Sequence, residues 1–256
     1  MPIPPPPSLG ELRARISRIG RACGARPAPA VALGIAAIDG QLPGGGLAAG
    51  ALHEVVGAGP DVEHGAAAAL FAAWVLARTH GPVLWVSARP DLFAPGLAAA
   101  GLDAGRVVHV EAGKAVLAAM EEGLRLGCAG GVAGEVEGRF GLTPSRRLQL
   151  AAEAAGVIAL AIRRGRSADD PALTAPSAAV TRWRIGCLPT APPLPHAPAI
   201  PGLGPARWRL DLLRVRGGDP SLWIVEAGNA PDHLRLAAGL GDGSAAAGQP
   251  GQRAAG

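Results

Sequence analysis

The chain has 256 residues and a formal net charge of +4, a length that fits one ordinary domain with short tails better than two small domains. Apolar residues make up 49% of the sequence but aromatic residues only 3%, so Ala, Val and Leu have to form the core. The longest apolar stretches fall well short of the roughly 20 residues that a membrane span requires, and the Pro-rich start lacks the features of a secretion signal. The three cysteines are far apart, odd in number and without metal-ligand spacing, which fits a reducing cytoplasm.

The two ends of the chain are predicted to differ from its middle. Residues 1–7 and the Gly/Ala-rich tail 239–256 are expected to be disordered. Between them, Ser8 is placed to cap a short helix over residues 9–22, and residues 24–30 form a linker of small residues. We therefore predict an N-terminal helix and linker (1–30), one main domain (31–238) and a disordered tail.

Strands and helices are predicted to alternate through the first half of the main domain. Such alternation indicates an α/β fold with a mainly parallel sheet covered on both faces. The helix 143–155 is expected to have Thr143 as its cap, Pro144 at its first position and Gly156 just past its end. The predicted strands are 51–56, 83–87, 107–111, about 131–136 and 157–162, and the predicted helices are 66–78, about 91–100, 115–126 and 143–155.

The pattern changes after Arg163. Residues 181–185 and 206–215 alternate between apolar and polar side chains, and residues 222–226 form a third short strand. A Pro-rich connection at 188–205 separates the first two. These segments predict an antiparallel extension of the sheet.

A glycine-rich turn after the first strand has the layout of a phosphate-binding loop but not its residues. A working loop, G-x-x-x-x-G-K-[ST], supplies backbone N–H groups, a lysine for the phosphates and a hydroxyl for Mg²⁺. Here five residues separate Gly59 from Gly65, and Ala66 and Ala67 stand where the lysine and the hydroxyl belong. The loop is also acidic, and it contains a proline that has no N–H to donate. The sequence therefore predicts a degenerate nucleotide loop (Gly57, Gly59, Gly65, Ala66, Ala67), no ordinary ATP hydrolysis, and at most weak anion binding at the following helix.

Several segments resemble the ImuA family of RecA-like proteins. The start of a RecA core is recognisable in residues 33–39 (LGIAAID), 42–47 (LPGGGL) and 50–57 (GALHEVVG). The more specific segments are 91–97 (DLFAPGL), 119–122 (AMEE), 145–153 (SRRLQLAAE), 181–184 (TRWR) and 207–209 (RWR).

The resemblance implies a RecA-like P-loop NTPase fold and a non-catalytic accessory role in SOS-induced translesion synthesis and mutagenesis. The implied partners are an ImuB-type inactive Y-family polymerase homologue and an error-prone replicative-type polymerase complex, with the RecA recombinase and DNA as further candidates. The sequence itself predicts no cofactor, no metal site and no membrane association, and we expect a cytoplasmic, nucleoid-associated protein.

The chain departs from the RecA pattern at the acidic positions and at both DNA-binding loops. The acid expected soon after strand 83–87 aligns with Arg89, and the acid ending the next buried strand is retained only as Glu135. The first DNA-binding loop is reduced to about residues 136–141, and the second corresponds to about 163–177.

Three arginines, Arg163, Arg164 and Arg166, are predicted to leave the strand 157–162 into that second loop. At this edge of the sheet they could hold two or three phosphates. The alternative is a solvated loop, or ion pairs with Asp169 and Asp170.

Two further pairs of arginines are candidates for partner or nucleic-acid contacts. Arg214 and Arg216 are predicted to lie on the same face of their strand as Trp208. There they are candidates to bind a partner's acidic groups or a DNA phosphate. The alternative is a strand end that is exposed to solvent. Arg146 and Arg147 open a helix, against the preference of its dipole, which suggests either a partner contact or an exposed helix start.

Two tryptophans, Trp183 and Trp208, lie in matching R-W-R triplets. They are expected to pack in the core, with base stacking as the alternative.

The function predicted from the sequence is an adaptor or regulator that acts by contacts. An ATPase with an unorthodox loop, a DNA-binding module that uses the Arg163 loop, and a protein that caps recombinase filaments are the alternatives.

Overall fold

The computed structural model describes residues 29–165, 167, 170–190, 192–194, 196–197, 200, 202, 204–227 and 234–237. The predicted N-terminal helix 9–22, the tail 239–256 and Arg166 lie outside these residues, so the predicted division of the chain stays a prediction.

A sheet of nine strands forms the centre of the protein. Its order is β11-β10-β9-β8-β3-β7-β6-β4-β5. Strands β3 to β8 pair in parallel, while β8, β9, β10 and β11 pair antiparallel to one another. The strands are β3 (Leu52–Gly57), β4 (Val83–Ser87), β5 (Val107–Glu111), β6 (Gly131–Glu137), β7 (Ile158–Arg164), β8 (Thr181–Leu188), β9 (Arg207–Val215), β10 (Ser221–Ala227) and β11 (Leu234–Leu236), and β1 (Ala30–Val31) pairs with β2 (Leu47–Ala48) in a separate ribbon.

This arrangement confirms the predicted fold class. One detail differs: β8 was predicted as part of the antiparallel extension, but it runs parallel to its neighbour β3. The extension therefore begins between β8 and β9.

Helices cover both faces of the parallel part of the sheet, as predicted. The core on one face includes side chains of α2 and α3, and the core on the other includes side chains of α4 and α5. The helices are α1 (Ala36–Asp39), α2 (Asp61–Ala77), α3 (Ala94–Ala99), α4 (Val116–Arg125), α5 (Leu142–Ala155) and α6 (Pro171–Thr174), with short 3-10 turns at Ala104–Arg106 and Gly113–Ala115.

Aromatic side chains form the centre of the α2 core. The ring of Phe71 lies 5.8 Å from that of Trp74 and 5.3 Å from that of Trp183, whose ring in turn lies 5.9 Å from that of Trp223. Trp183 is fully buried and Trp208 is 8% exposed. The core interpretation of the two R-W-R triplets is confirmed, and the base-stacking alternative is wrong because buried rings present no face to a base.

The ends of α5 differ in part from the prediction. The helix begins at Leu142 with Gly141 as its cap residue, so Thr143 is not the cap. The Ser145 hydroxyl donates to the Gly141 carbonyl at 2.7 Å, and Pro144 is tolerated because its missing N–H falls in the first turn, where N–H groups have no intrahelical partner. Gly156 ends the helix at φ 68° as predicted.

Within the described part of the chain, none of the helices combines the length and apolar character that a membrane crossing requires.

Candidate functional site

The connection between β3 and α2 is much shorter than a phosphate-binding loop. Strand β3 ends at Gly57 and helix α2 begins at Asp61, with Pro60 as its cap residue. The sequence predicted that this helix begins at Ala66, and that prediction was wrong. Acidic side chains in the first turn favour the earlier start because they interact well with the positive end of the helix dipole.

Backbone N–H groups at this connection are already bonded within the protein. The N–H of Ala58 donates to the carbonyl of Ile185 at 2.8 Å, and the N–H of Asp61 donates to the carbonyl of Gly165 at 3.0 Å. In a working loop the N–H groups at this place surround the phosphates. Donors that are used in this way are not free to hold a phosphate group.

A three-membered ion-pair cluster, Asp61–Arg164–Glu135, lies beside the start of α2. Arg164 donates to Asp61 at 3.1 and 3.2 Å and to Glu135 at 2.6 Å. Glu135 also accepts from the Trp85 indole N–H at 2.8 Å and is 5% exposed. Burial alone lowers the pKa of Arg164, but the two carboxylates outweigh it and raise that pKa above its usual value.

The glycine at position 65 makes room for this cluster. Gly65 lies within α2, where a Cβ would come within 2.7 Å of the Arg164 guanidinium and closer still to the Asp61 carboxylate. Its neighbour Ala66 is exposed and Ala67 is 2% exposed in the core. Gly65 thus permits an internal ion pair at the place where the sequence pattern suggested a loop glycine.

Arg163 was predicted to stand in a DNA-binding loop, and that placement was wrong. Both Arg163 and Arg164 belong to β7, which continues two residues past its predicted end at 162. The Arg163 side chain is fully buried, lies 3.3 Å from the Glu54 carboxylate, and donates to the Gly138 carbonyl at 2.7 Å. A guanidinium in this position is not accessible to a phosphate.

Glu54 is the centre of this second buried cluster. Besides Arg163, it accepts from Arg182 at 2.7 Å and from the Ser177 hydroxyl at 2.8 Å. Desolvation lowers the pKa of Arg163 more than Glu54 raises it. The carboxylate is fully buried, so its three donors are required to offset the cost of burying its charge.

A β-bulge changes the predicted placement of Arg214 and Arg216. Trp183 pairs with Leu212 while its neighbour Arg182 pairs with Arg214, so Leu213 is the extra residue. The bulge returns Val215 to the core face of Trp208 and turns Arg214 to the opposite face. The prediction that the two arginines share the Trp208 face was therefore wrong.

Both arginines instead contact the segment before β8. Arg214 donates to the Ser177 carbonyl at 3.0 Å and to the Ala179 carbonyl at 2.7 Å. Arg216 is exposed and reaches the Ala178 carbonyl at 3.4 Å. Burial lowers the pKa of Arg214, with a further reduction from the neighbouring Arg182. These contacts hold the backbone of residues 177–179 in place.

The pair Arg146 and Arg147 lies on the exposed side of α5. Arg147 forms an ion pair of 2.7 Å with Glu121 of α4, and Arg146 is exposed. A groove of about 650 Å³ between the two helices is lined by Arg147, Leu150 and small side chains of α5. Leu150 is 53% exposed. This surface is accessible to a partner, whereas Arg163 is not.

Sequence reasoning missed both ion-pair clusters as units. A glutamate within the apolar run of β3 was the available signal for Glu54, because a charge in a buried strand requires a partner. No spacing in the sequence connects Asp61 with Arg164 or Glu135. Among the described residues, no group of three or more His, Cys, Asp or Glu side chains is arranged to hold a metal ion.

Comparison with solved structures shows that the fold is similar to that of a known protein. The crystal structure of the RadB recombinase matches with a TM-score of 0.56 and 14% identity, over 80% of this chain and 98% of that one. The fold match and the altered β3–α2 connection together define a RecA-like fold in which the Asp61–Arg164–Glu135 cluster lies beside the start of α2.

Comparison of the sequence with curated proteins shows the family. Protein ImuA from two strains of Caulobacter vibrioides is 41% identical over 240 residues, which are 89% of this chain and 96% of the relative. The chain belongs to the ImuA family. No family model matches the chain.

Proposed function

We propose that this chain is a non-catalytic accessory protein of SOS-induced translesion synthesis and mutagenesis, which acts as an adaptor or regulator of an error-prone polymerase complex. The ImuA resemblance supplies the cellular process. The Asp61–Arg164–Glu135 cluster is the observation that supports action without catalysis, because these side chains bind one another beside the turn that holds phosphates in a working P-loop protein.

An ATPase with an unorthodox loop fits this geometry poorly. Phosphoryl transfer depends on positive charge and N–H donors placed around the transferred group. Here the guanidinium of Arg164 is bound to two carboxylates, and the N–H groups of Ala58 and Asp61 are bound to carbonyls.

Contacts with partners are proposed to use the exposed surface of α5. Arg146, Arg147 and Leu150 are exposed there, and Leu142 is 60% exposed at the start of the helix. Arginine together with exposed apolar side chains is typical of the centres of protein interfaces. The proposed partner is an ImuB-type inactive Y-family polymerase homologue, with the recombinase as a second candidate in the same process.

Pull-down and gel filtration of the full chain with the ImuB-type protein and the recombinase of its host test this function. We expect a complex of equal strength with and without ATP. Leu150→Asp should weaken the complex by tenfold or more, which corresponds to about 1.4 kcal/mol. The matched control is Val62→Asp, which changes an apolar side chain that is 95% exposed on α2.

Absence of a complex with both partners would contradict the proposal. A complex that requires ATP would contradict its non-catalytic part. Equal loss of binding in the control would contradict the α5 surface.

A further inference from the structure

One face of the antiparallel extension carries a dense group of arginines. In the register of the strands, Arg184 stands opposite Asp211, and Arg207 stands opposite Glu226, which in turn stands opposite Arg235. Side chains at paired positions point to the same face of a sheet. Six arginines share this face (Arg182, Arg184, Arg207, Arg209, Arg214 and Arg235), and three carboxylates accompany them (Glu54, Asp211 and Glu226).

Each of the two outer carboxylates is shared between two arginines. Asp211 lies 2.7 Å from both Arg184 and Arg209. Glu226 lies 3.0 Å from Arg207 and 3.6 Å from Arg235. One carboxylate neutralises only one guanidinium, so each group of three keeps a net positive charge while its side chains are held in place.

Three of these arginines are positioned by ion pairs on the sheet but remain open to water. The side chains of Arg184, Arg209 and Arg235 are 43%, 47% and 67% exposed. A guanidinium has five N–H donors, and an ion pair with one carboxylate uses only some of them. The remaining donors are available to a ligand without a large cost for ordering the side chain.

The opposite face of the same strands has a different character. It is part of the α2 core and carries the tryptophans at 183, 208 and 223. On the arginine face, α4 and α5 pack over β3, β4, β6 and β7. The positive charge is therefore concentrated on the part of this face that extends beyond those helices.

We propose that the arginine face of β8–β11 binds the phosphate backbone of nucleic acid without regard to sequence. Guanidinium groups match phosphate oxygens in geometry and charge. Because the tryptophans of these strands all lie on the opposite face, this surface contacts the backbone rather than stacking on bases. It differs from the Arg163 loop that the sequence suggested, and it goes beyond the proposed adaptor function.

Salt dependence of binding to a labelled oligo(dT) and to a duplex of equal length tests the proposal on the full chain. The variant Arg209→Gln/Arg235→Gln removes two exposed arginines and leaves Asp211 paired with Arg184 and Glu226 paired with Arg207. Loss of two phosphate contacts should reduce the slope of log K against log salt by about 1.4 for the single strand and 1.8 for the duplex. For proteins that bind equally at about 1 M salt, this change in slope means about 25- to 60-fold weaker binding by the variant at about 0.1 M salt. The strand form that shows the change identifies the bound form.

The control variant is Arg89→Gln/Lys114→Gln, which removes the same charge from exposed positions near the other end of the sheet. It should leave the slope unchanged, and both variants should keep the melting temperature of the parent protein. An unchanged slope in the Arg209/Arg235 variant, or an equal reduction in the control, would overturn the proposal. So would competition by polyglutamate as strong as that by oligo(dT) at equal charge, because the surface would then accept an acidic protein rather than nucleic acid.

Discussion

Replacing Arg164 with methionine should destabilise the protein because it removes the cation shared by Asp61 and Glu135. Glu135 is 6% exposed in its side chain and, among the residues that the structure describes, would keep the Trp85 N–H as its one hydrogen-bond donor. Breaking a buried ion pair by removing one partner costs about 3–5 kcal/mol. Asp61 is 39% exposed, so the loss of its ion pair adds little to this cost. The hydrogen bond from Trp85 to Glu135 is retained and reduces the cost further. We therefore expect the free energy of unfolding to fall by about 2–3 kcal/mol. The melting temperature should fall by about 5–10 °C.

Urea unfolding followed by tryptophan fluorescence measures this cost. The variant Arg164→Met/Glu135→Gln should recover most of the loss, because a neutral amide in place of the carboxylate no longer needs a cation. Wild-type stability of Arg164→Met at pH 7 would refute the argument that this cluster is an integrated part of the fold.

Three further predictions concern single side chains. Gly65→Ala should lower the free energy of unfolding by about 1–2 kcal/mol, because crowding against the ion-pair cluster outweighs the helix preference of alanine. The control is Gly96→Ala, whose Cβ would make ordinary contacts of 3.4 Å and longer, and which should cost nothing measurable. Burial lowers the pKa of His53 from 6.5 to about 4. The free energy of unfolding of the wild type should therefore fall by up to about 3 kcal/mol between pH 6.5 and pH 4, because the unfolded chain binds a proton that the buried ring does not. The variant His53→Gln should lose less stability over that range. Arg163→Met should cost about 2–4 kcal/mol by chemical denaturation, whereas Arg139→Met at an exposed position should change stability by less than about 0.5 kcal/mol; equal effects would show that Arg163 is not the buried partner described above.

Local patterns predicted the parallel part of the fold well. The strands β4 and β5 have the predicted bounds, because a short apolar run between a glycine or proline turn and a helix leaves little choice of structure. Gly156 ends α5 as expected because a left-handed residue suits glycine. These features depend on neighbours in the sequence, and such neighbours are visible without a structure.

The start of α2 was mispredicted because glycine was given too much weight. Gly65 was taken as the end of a loop, whereas it lies in the helix and accommodates the Arg164 ion pair. The helix begins at Asp61, five residues before its predicted start at Ala66. Close packing against a residue a hundred positions away determines this glycine, and no local pattern contains that contact.

Contacts between residues that are distant in sequence also explain why the arginines were misplaced. Adjacent residues of a strand point to opposite faces, so Arg163 and Arg164 belong to two different clusters although they are neighbours in sequence. The bulge at Leu213 likewise reverses the face of Arg214. Register shifts of one residue move every following side chain to the other face, and they are fixed by pairing with another strand.

Calorimetric titration of the full chain with Mg²⁺–ATP tests whether nucleotide binds beside the start of α2. If the Asp61–Arg164–Glu135 cluster occupies the phosphate position, wild type should show no saturable binding at millimolar nucleotide. Saturable binding with a micromolar dissociation constant that is lost when Gly65 is replaced by alanine would contradict the account, because it would place the nucleotide where the protein's own ion pairs lie.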